Sequence, residues 1–169
     1  ASAEIYFADE AGISSDFHSG TTWALRGKTP VVQTTGARFS VNMMSAVSPK
    51  GHMRFMTIKG RMNSDRFIKF LDRLMYNAER PVFLIVDGHP THKSNKVKKF
   101  VASTNGRLQL FYLPPYSPEL NPDELVWNYV KNHKIGRMEI KGPDDLKYKV
   151  LSCLKSLQLC KSKIIGFFH

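Results

Sequence analysis

The chain has 169 residues, 42% hydrophobic and 23% charged, a composition that suits one folded domain and excludes disorder as its main state. It has no apolar run of about 18 residues, so no segment reads as a membrane-spanning helix. Twenty-five Lys and Arg against 14 Asp and Glu leave a net charge of +11, the balance of a domain that meets polyanions.

Residues 1–7 carry no basic stretch followed by an apolar core, so they do not read as a secretory signal. The chain opens on Ala1 rather than Met and enters an apolar stretch at once, which suggests a domain upstream. Glu4–Ala8 reads as a buried strand and Thr21–Leu25 as a second. Arg38–Val47 alternates as a third, closed by a turn at Ser48-Pro49-Lys50-Gly51, and His52–Ile58 is a fourth. The period then changes. Asn63-Ser64-Asp65 supplies an N-cap, and Phe67, Phe70, Leu71, Leu74 and Met75 fall at helical spacing. Those two Phe, like Trp127 further on, read as core rather than as base-stacking groups. Pro81–Val86 is a continuous apolar run, which predicts a strand covered on both faces. Lys93–Ala102 is a basic amphipathic helix and Leu108–Leu113 another buried strand. A proline-rich loop, 114–122, leads to helices over Pro122–His133 and Pro143–Leu157. A meander running into a β-α-β-α-β half predicts an α/β domain whose mixed sheet carries helices on both faces. Cys153 and Cys160 match neither a zinc pattern nor a disulfide framework, which points to a reducing, intracellular setting.

Ligand sites in such sheets form at the carboxyl ends of strands. Asp9 follows the first strand and Asp87 follows Pro81–Val86. If those strands are neighbours, the two carboxylates face each other. At about 4 Å they repel by roughly 4 kcal/mol at an effective dielectric near 20, so a shared cation or a retained proton is needed. Glu124, at the start of a helix, is a third candidate, with Asp123 its rival as Glu10 is the rival of Asp9. Asn121 and Glu124 also have the spacing of a capping box, which would tie Glu124 to the helix end with no chemistry. Either Asp could equally be a turn former.

Three motifs carry a family resemblance. They are Phe7-Ala8-Asp9-Glu10-Ala11-Gly12, then Leu84-Ile85-Val86-Asp87 with His92 five residues on, and Leu113-Pro114-Pro115-Tyr116-Ser117-Pro118 through Asn121-Pro122-Asp123-Glu124-Leu125-Val126-Trp127. Over nearly its whole length the chain resembles the catalytic domain of DDE transposases of the mariner superfamily, in particular the bacterial insertion-sequence branch. The third motif is the most specific. Trp23–Pro30 also looks family-like. Gly88 departs from the pattern, standing where relatives often have Asn, and the Asp87-to-Glu124 spacing is slightly long.

The resemblance implies an RNase H-like, retroviral-integrase-like fold, with residues 1–169 as one catalytic domain. It implies a catalytic and metal-binding triad of Asp9, Asp87 and Glu124. The cofactor it implies is Mg²⁺ or Mn²⁺, as two ions, which suits hard carboxylate oxygens. The expected partners are duplex DNA, as transposon ends and target, and a second copy of the chain or more in the active complex, with no membrane partner. The expected place of action is the bacterial cytoplasm, or the nucleus in a eukaryote. The family's helix-turn-helix region is absent from these residues, so sequence-specific end binding should not reside here. His92 is expected either to contact phosphate or to orient Asp87. Lys93, Lys96, Lys98 and Lys99 cluster just after Asp87, and from Lys131 to Lys163 nine basic residues, Lys134 among them, face three acids. These would hold phosphates without reading bases. The rival functions are a domesticated or inactive DNA-binding domain and another nuclease of the same fold.

Overall fold

The computed structural model describes residues 2–14, 26–27 and 39–169. A five-stranded sheet runs in the order β3-β2-β1-β4-β5. Its strands are β1 (Glu4–Ser14), β2 (Ser40–Val47), β3 (Met53–Ile58), β4 (Val82–Val86) and β5 (Leu108–Tyr112). β1, β2 and β3 pair antiparallel, whereas β1-β4 and β4-β5 are parallel. Each parallel step is spanned by a helix, α1 (Ser64–Met75) and α2 (Asn95–Ser103), because parallel neighbours need a crossover.

The predicted strand Thr21–Leu25 lies outside the described residues. The first strand is longer than its predicted end at Ala8. Tyr6 and Ala8 are buried towards α1, whereas Ala11 and Ile13 are buried in the opposite core. The alternation therefore changes phase at Asp9-Glu10, and that break hides the second half of the strand in the sequence. Asp9 thus lies mid-strand, just beyond the last β1-β4 pair at Phe7↔Ile85.

One core joins α1 and α2 to the sheet, with Phe67, Phe70 and Leu71 at most 1% exposed. The opposite core joins β1-β3 to α3 (Pro122–Asn128), α4 (Pro143–Leu159) and α5 (Lys161–Gly166), and Trp127 is buried in it. The apolar run of β4 overstates its cover. Val82, Leu84 and Val86 are buried, but Phe83 and Ile85 are only half-buried, because the buried residues of the second core come from β1–β3 and not from β4. β5 is likewise an edge strand rather than a buried one, with Phe111 and Tyr112 exposed. The predicted helix Pro122–His133 is broken: α3 gives way to a π-helical segment, Tyr129–Lys134, and a 3₁₀ turn, Ile135–Arg137. The short α5 was not expected, since only Ile164 of its residues is buried. Among the described residues no helix is long and apolar enough to cross a membrane.

Candidate active site

The parallel register pairs Glu4 with Val82 and Phe7 with Ile85. Carried two residues further, it sets Asp9 beside Asp87, on strands about 4.8 Å apart. Asp9 shares its sheet face with Ala11 and Ile13, the face covered by α3. Burial first, then the neighbouring Glu124 carboxyl, push the Asp9 pKa up to about 8, with a smaller rise from Asp87. The backbone N–H of Glu10 donates to Asp9 Oδ1 at 2.9 Å and opposes the shift only in part.

Glu124 reaches Asp9 because the start of α3 is tied to the sheet. Asn121 is 4% exposed. Its Oδ1 accepts the backbone N–H of Asp123 at 3.1 Å, capping the helix, and its Nδ2 donates to the Ala8 carbonyl at 3.2 Å. One side chain thus closes a helix end and grips the strand residue before Asp9. Pro122 at the first helical position has no N–H to leave unsatisfied. The two rival acids separate cleanly. Asp123 is wholly buried, and Ser45 Oγ lies 2.8 and 2.7 Å from its two carboxylate oxygens. Ser45 is the cross-strand partner of Asp9. Burial holds Asp123 well above the usual carboxylate range. Glu124 is exposed and faces the site. The capping box is not closed, since the Asn121 N–H donates to the Pro118 carbonyl instead.

Asp87 is held differently. His89 N–H donates to its Oδ1 at 2.9 Å, and His92 Nδ1 lies 3.1 Å from the same oxygen. His92 is 2% exposed. Its Nε2 donates to Glu10 Oε1 at 3.0 Å, and its ring packs on Phe67 at 4.4 Å. Burial alone would lower the His92 pKa, but the bonds to Asp87 and Glu10 outweigh it and push it up to about 9. The bond from His92 is the main cause that holds Asp87 below its ordinary value. Glu10 therefore points away from Asp9 and serves the histidine, and of the two roles expected for His92 its geometry is the orienting one.

The donor set suits a hard divalent cation. Burial and the charges of Glu124 and Asp87 raise the pKa of Asp9, the setting that a shared cation relieves. Among the described residues no three His, Cys, Asp or Glu side chains yet close on one point, since Asp87 is turned to His92 while Asp9 is turned to Glu124. Lys93 stands beside the Asp87 turn, its Nζ 4.9 Å from the Tyr112 ring centroid and close enough to Gly88 that a β-carbon there would meet it at 3.2 Å. Lys96, on α2, pairs with Asp65 of α1 at 3.3 Å. Lys131 and Lys134 lie beyond α3, on the π-helical segment. Sequence reasoning missed Ser45 and the second bond of Asn121. The signal for Ser45 was a lone hydroxyl inside the apolar run Met43–Val47.

A family model described as DDE superfamily endonuclease matches residues 4–147. The chain is 28% identical over 142 residues to an insertion element IS630 uncharacterized 39 kDa protein of Shigella sonnei, covering 79% of this chain and 41% of that protein. The chain thus spans less than half the length of that relative. Among solved structures, the catalytic domain of Mos1 mariner transposase matches with a TM-score of 0.59 at 14% identity, over 96% of this chain and 81% of that one. A Mos1 mariner paired-end complex with Mn matches at 0.63 and 15%, over 96% and 55%. A simian T-cell lymphotropic virus intasome matches at 0.51 and 12%, over 88% and 47%. At these identities the likeness is one of fold: the mixed sheet with its flanking helices is RNase H-like.

Proposed function

Because the chain belongs to the DDE superfamily endonucleases, we propose that it cuts and joins DNA strands as a transposase catalytic domain, by in-line attack of water or a 3′-hydroxyl on a phosphodiester. In this reading residues 1–169 form one catalytic domain, and Asp9, Asp87 and Glu124 are its acting carboxylates. The observation that carries the reading is the strand register that sets Asp9 beside Asp87, with Glu124 at the start of α3 close enough to Asp9 to raise its pKa.

Asp9, Asp87 and Glu124 would hold Mg²⁺ or Mn²⁺, which when bound activates the attacking oxygen and stabilises the leaving one. The chain's own part is to fix the ligands. His92, braced by Glu10, keeps Asp87 ionised and aimed. Asn121 and the Ser45-Asp123 pair hold the first turn of α3 against β1, so that Glu124 cannot drift from Asp9. Lys93 stands beside the site to meet a phosphate, and Lys96, Lys131 and Lys134 extend the basic surface along the duplex. Relatives crystallised with Mn or Mg and in paired-end complexes support the choice of cation, the DNA partner and self-association in the active assembly. In a bacterial cell the substrate would be chromosomal or plasmid DNA.

The test is incubation of the chain with supercoiled plasmid, linear duplex and an RNA/DNA hybrid, each with Mg²⁺ or Mn²⁺. Nicking of DNA is expected. Cleavage confined to the hybrid would assign a ribonuclease instead, and binding without cleavage under either metal would reduce the chain to a DNA-binding domain. Affinity should vary little among duplex sequences. A preference of about 1000-fold for one of them would reveal a reading element within these residues.

A further inference from the structure

The site above leaves unused a cleft of about 310 Å³ between the π-helical segment, α4 and α5, lined by Tyr129, Lys134, Tyr148, Lys149, Cys160 and Lys163 among others. No acid lines it. Lys149 is neutralised by Asp145 at 3.0 Å. Lys134 and Lys163 have no carboxylate partner among the described residues; both instead lie against one ring, their Nζ atoms 5.7 and 4.0 Å from the Tyr129 centroid. Two ammonium groups drawn to one ring repel each other, and an exposed ring face is a weaker partner for either than a carboxylate or phosphate. An anion is the partner this arrangement lacks.

The π-helical geometry creates the cleft. In an α-helix a residue five positions on lies about 140° round the axis, so Lys134 would turn away from Tyr129. The wider turn brings both to one side, where His133 also stacks on Tyr129 at 5.9 Å, as an i,i+4 pair does in any helix. Such turns are rare and recur at functional sites. Tyr148, 71% exposed, offers a ring face beside the lysines. Tyr129 follows Glu124 by five residues, about 7.5 Å along a helix axis, so the cleft is separate from the carboxylates.

We propose that this cleft is a second phosphate-binding site, which takes the sugar–phosphate backbone of a DNA strand away from the point of cleavage. The proposal rests on DNA being the partner, as argued above. Cys160 provides its test. It is exposed at the cleft, whereas Cys153, which also lines the cleft, is buried, so the alkylation read is that of Cys160. Alkylation of Cys160 by neutral iodoacetamide would be followed in EDTA, with and without duplex DNA, and with inorganic phosphate at matched ionic strength. Duplex DNA should slow Cys160 alkylation several-fold in the parent. That protection should vanish in K134Q/K163Q. The double variant should also bind duplex with a shallower salt dependence, its log–log slope reduced by about 1 for each lysine. K69Q/R73Q, which removes the same charge from exposed positions of α1, should keep full protection. A parent that binds duplex with Cys160 unprotected overturns the cleft alone. A parent that binds no duplex overturns the DNA reading and the proposal with it. Protection by inorganic phosphate but not by duplex assigns a small-anion site and overturns the DNA source.

Discussion

The two sides of the carboxylate site are anchored by different physics. On the Asp87 side the anchor is charge: a buried imidazolium lies between two acids, and its bonds hold Asp87 ionised. On the Glu124 side the anchor is a set of hydrogen bonds among groups with little net charge, in which Asn121 grips Ala8 and Ser45 meets a buried Asp123. The first anchor answers to pH and to the loss of a charge. The second answers to the loss of a shape. A site that must gather like charges gains from this division, because three ionic anchors would add to the repulsion they have to overcome.

Asp87→Asn should have the largest effect. Asn keeps the shape but lacks the anionic oxygen that a hard divalent cation needs. Losing about 4 kcal/mol of transition-state stabilisation costs nearly a thousandfold in rate, so Mn²⁺-dependent nicking should fall at least that far. The protein should stay folded with a lower melting temperature, because Asn leaves the His92 imidazolium with Glu10 alone as its acid, and parent-level nicking would remove Asp87 from the reaction.

Asn121→Ala breaks the other anchor. It removes a helix cap, worth about 1 kcal/mol, and leaves the Ala8 carbonyl without its donor. A displacement of Glu124 by about 1 Å is expected to cost roughly a hundredfold in cleavage. Circular dichroism should show a folded protein, and an unchanged rate would mean that the cap alone explains Asn121.

His92→Gln separates the two anchors by pH. The folded pKa of His92, about 9, lies above its ordinary 6.5, so its contribution to stability is complete below about pH 6.5 and is lost as pH rises through 9. Asp9, raised to about 8, loses its contribution between about pH 4 and 8. In metal-free buffer the parent's melting temperature should therefore decline from weakly acidic to alkaline pH. His92→Gln should flatten the alkaline part and leave the Asp9 part. Cleavage should drop about tenfold, as expected for a residue that orients a ligand. A parent-like melting profile up to pH 9 would show that His92 is not the charged brace.

Ser45→Ala should have the smallest effect. Because burial favours the protonated form of Asp123, the lost bond is close to a neutral one, worth about 1 kcal/mol. Melting should fall by a few degrees, with cleavage reduced less than in Asn121→Ala. A larger loss of activity than of stability would mark Ser45 as part of the alignment.

Much of this was legible in the sequence because it is local. Helix α1 declared itself through Asn63 and the spacing of Phe67, Phe70, Leu71 and Leu74, and the structure starts and buries it there. The two aspartates could be read as strand-borne because apolar runs precede them. The end of β1 was not legible, since its buried side switches at Asp9-Glu10 and no single period describes both halves. Nor was the exposure of Phe83 and Ile85, because cover depends on helices far along the chain. For Asp123 and Glu124 the choice turned on Ser45, which no local pattern links to α3. The break of the predicted helix at Tyr129 was not legible either, since no Pro or Gly stands between Asp123 and Lys134 to mark it.

The bond from Asn121 to Ala8 spans 113 positions of the chain. Contacts of such long separation close late and slowly, since the loop entropy must be met before they contribute. Synthesis runs from the N-terminus, so all five strands can emerge and pair before Asn121 and Glu124 leave the ribosome. Until then the growing chain carries Asp9 and Asp87 without Glu124. The order of residues thus acts as a timer, with the carboxylate set completed only after the sheet that positions it has formed.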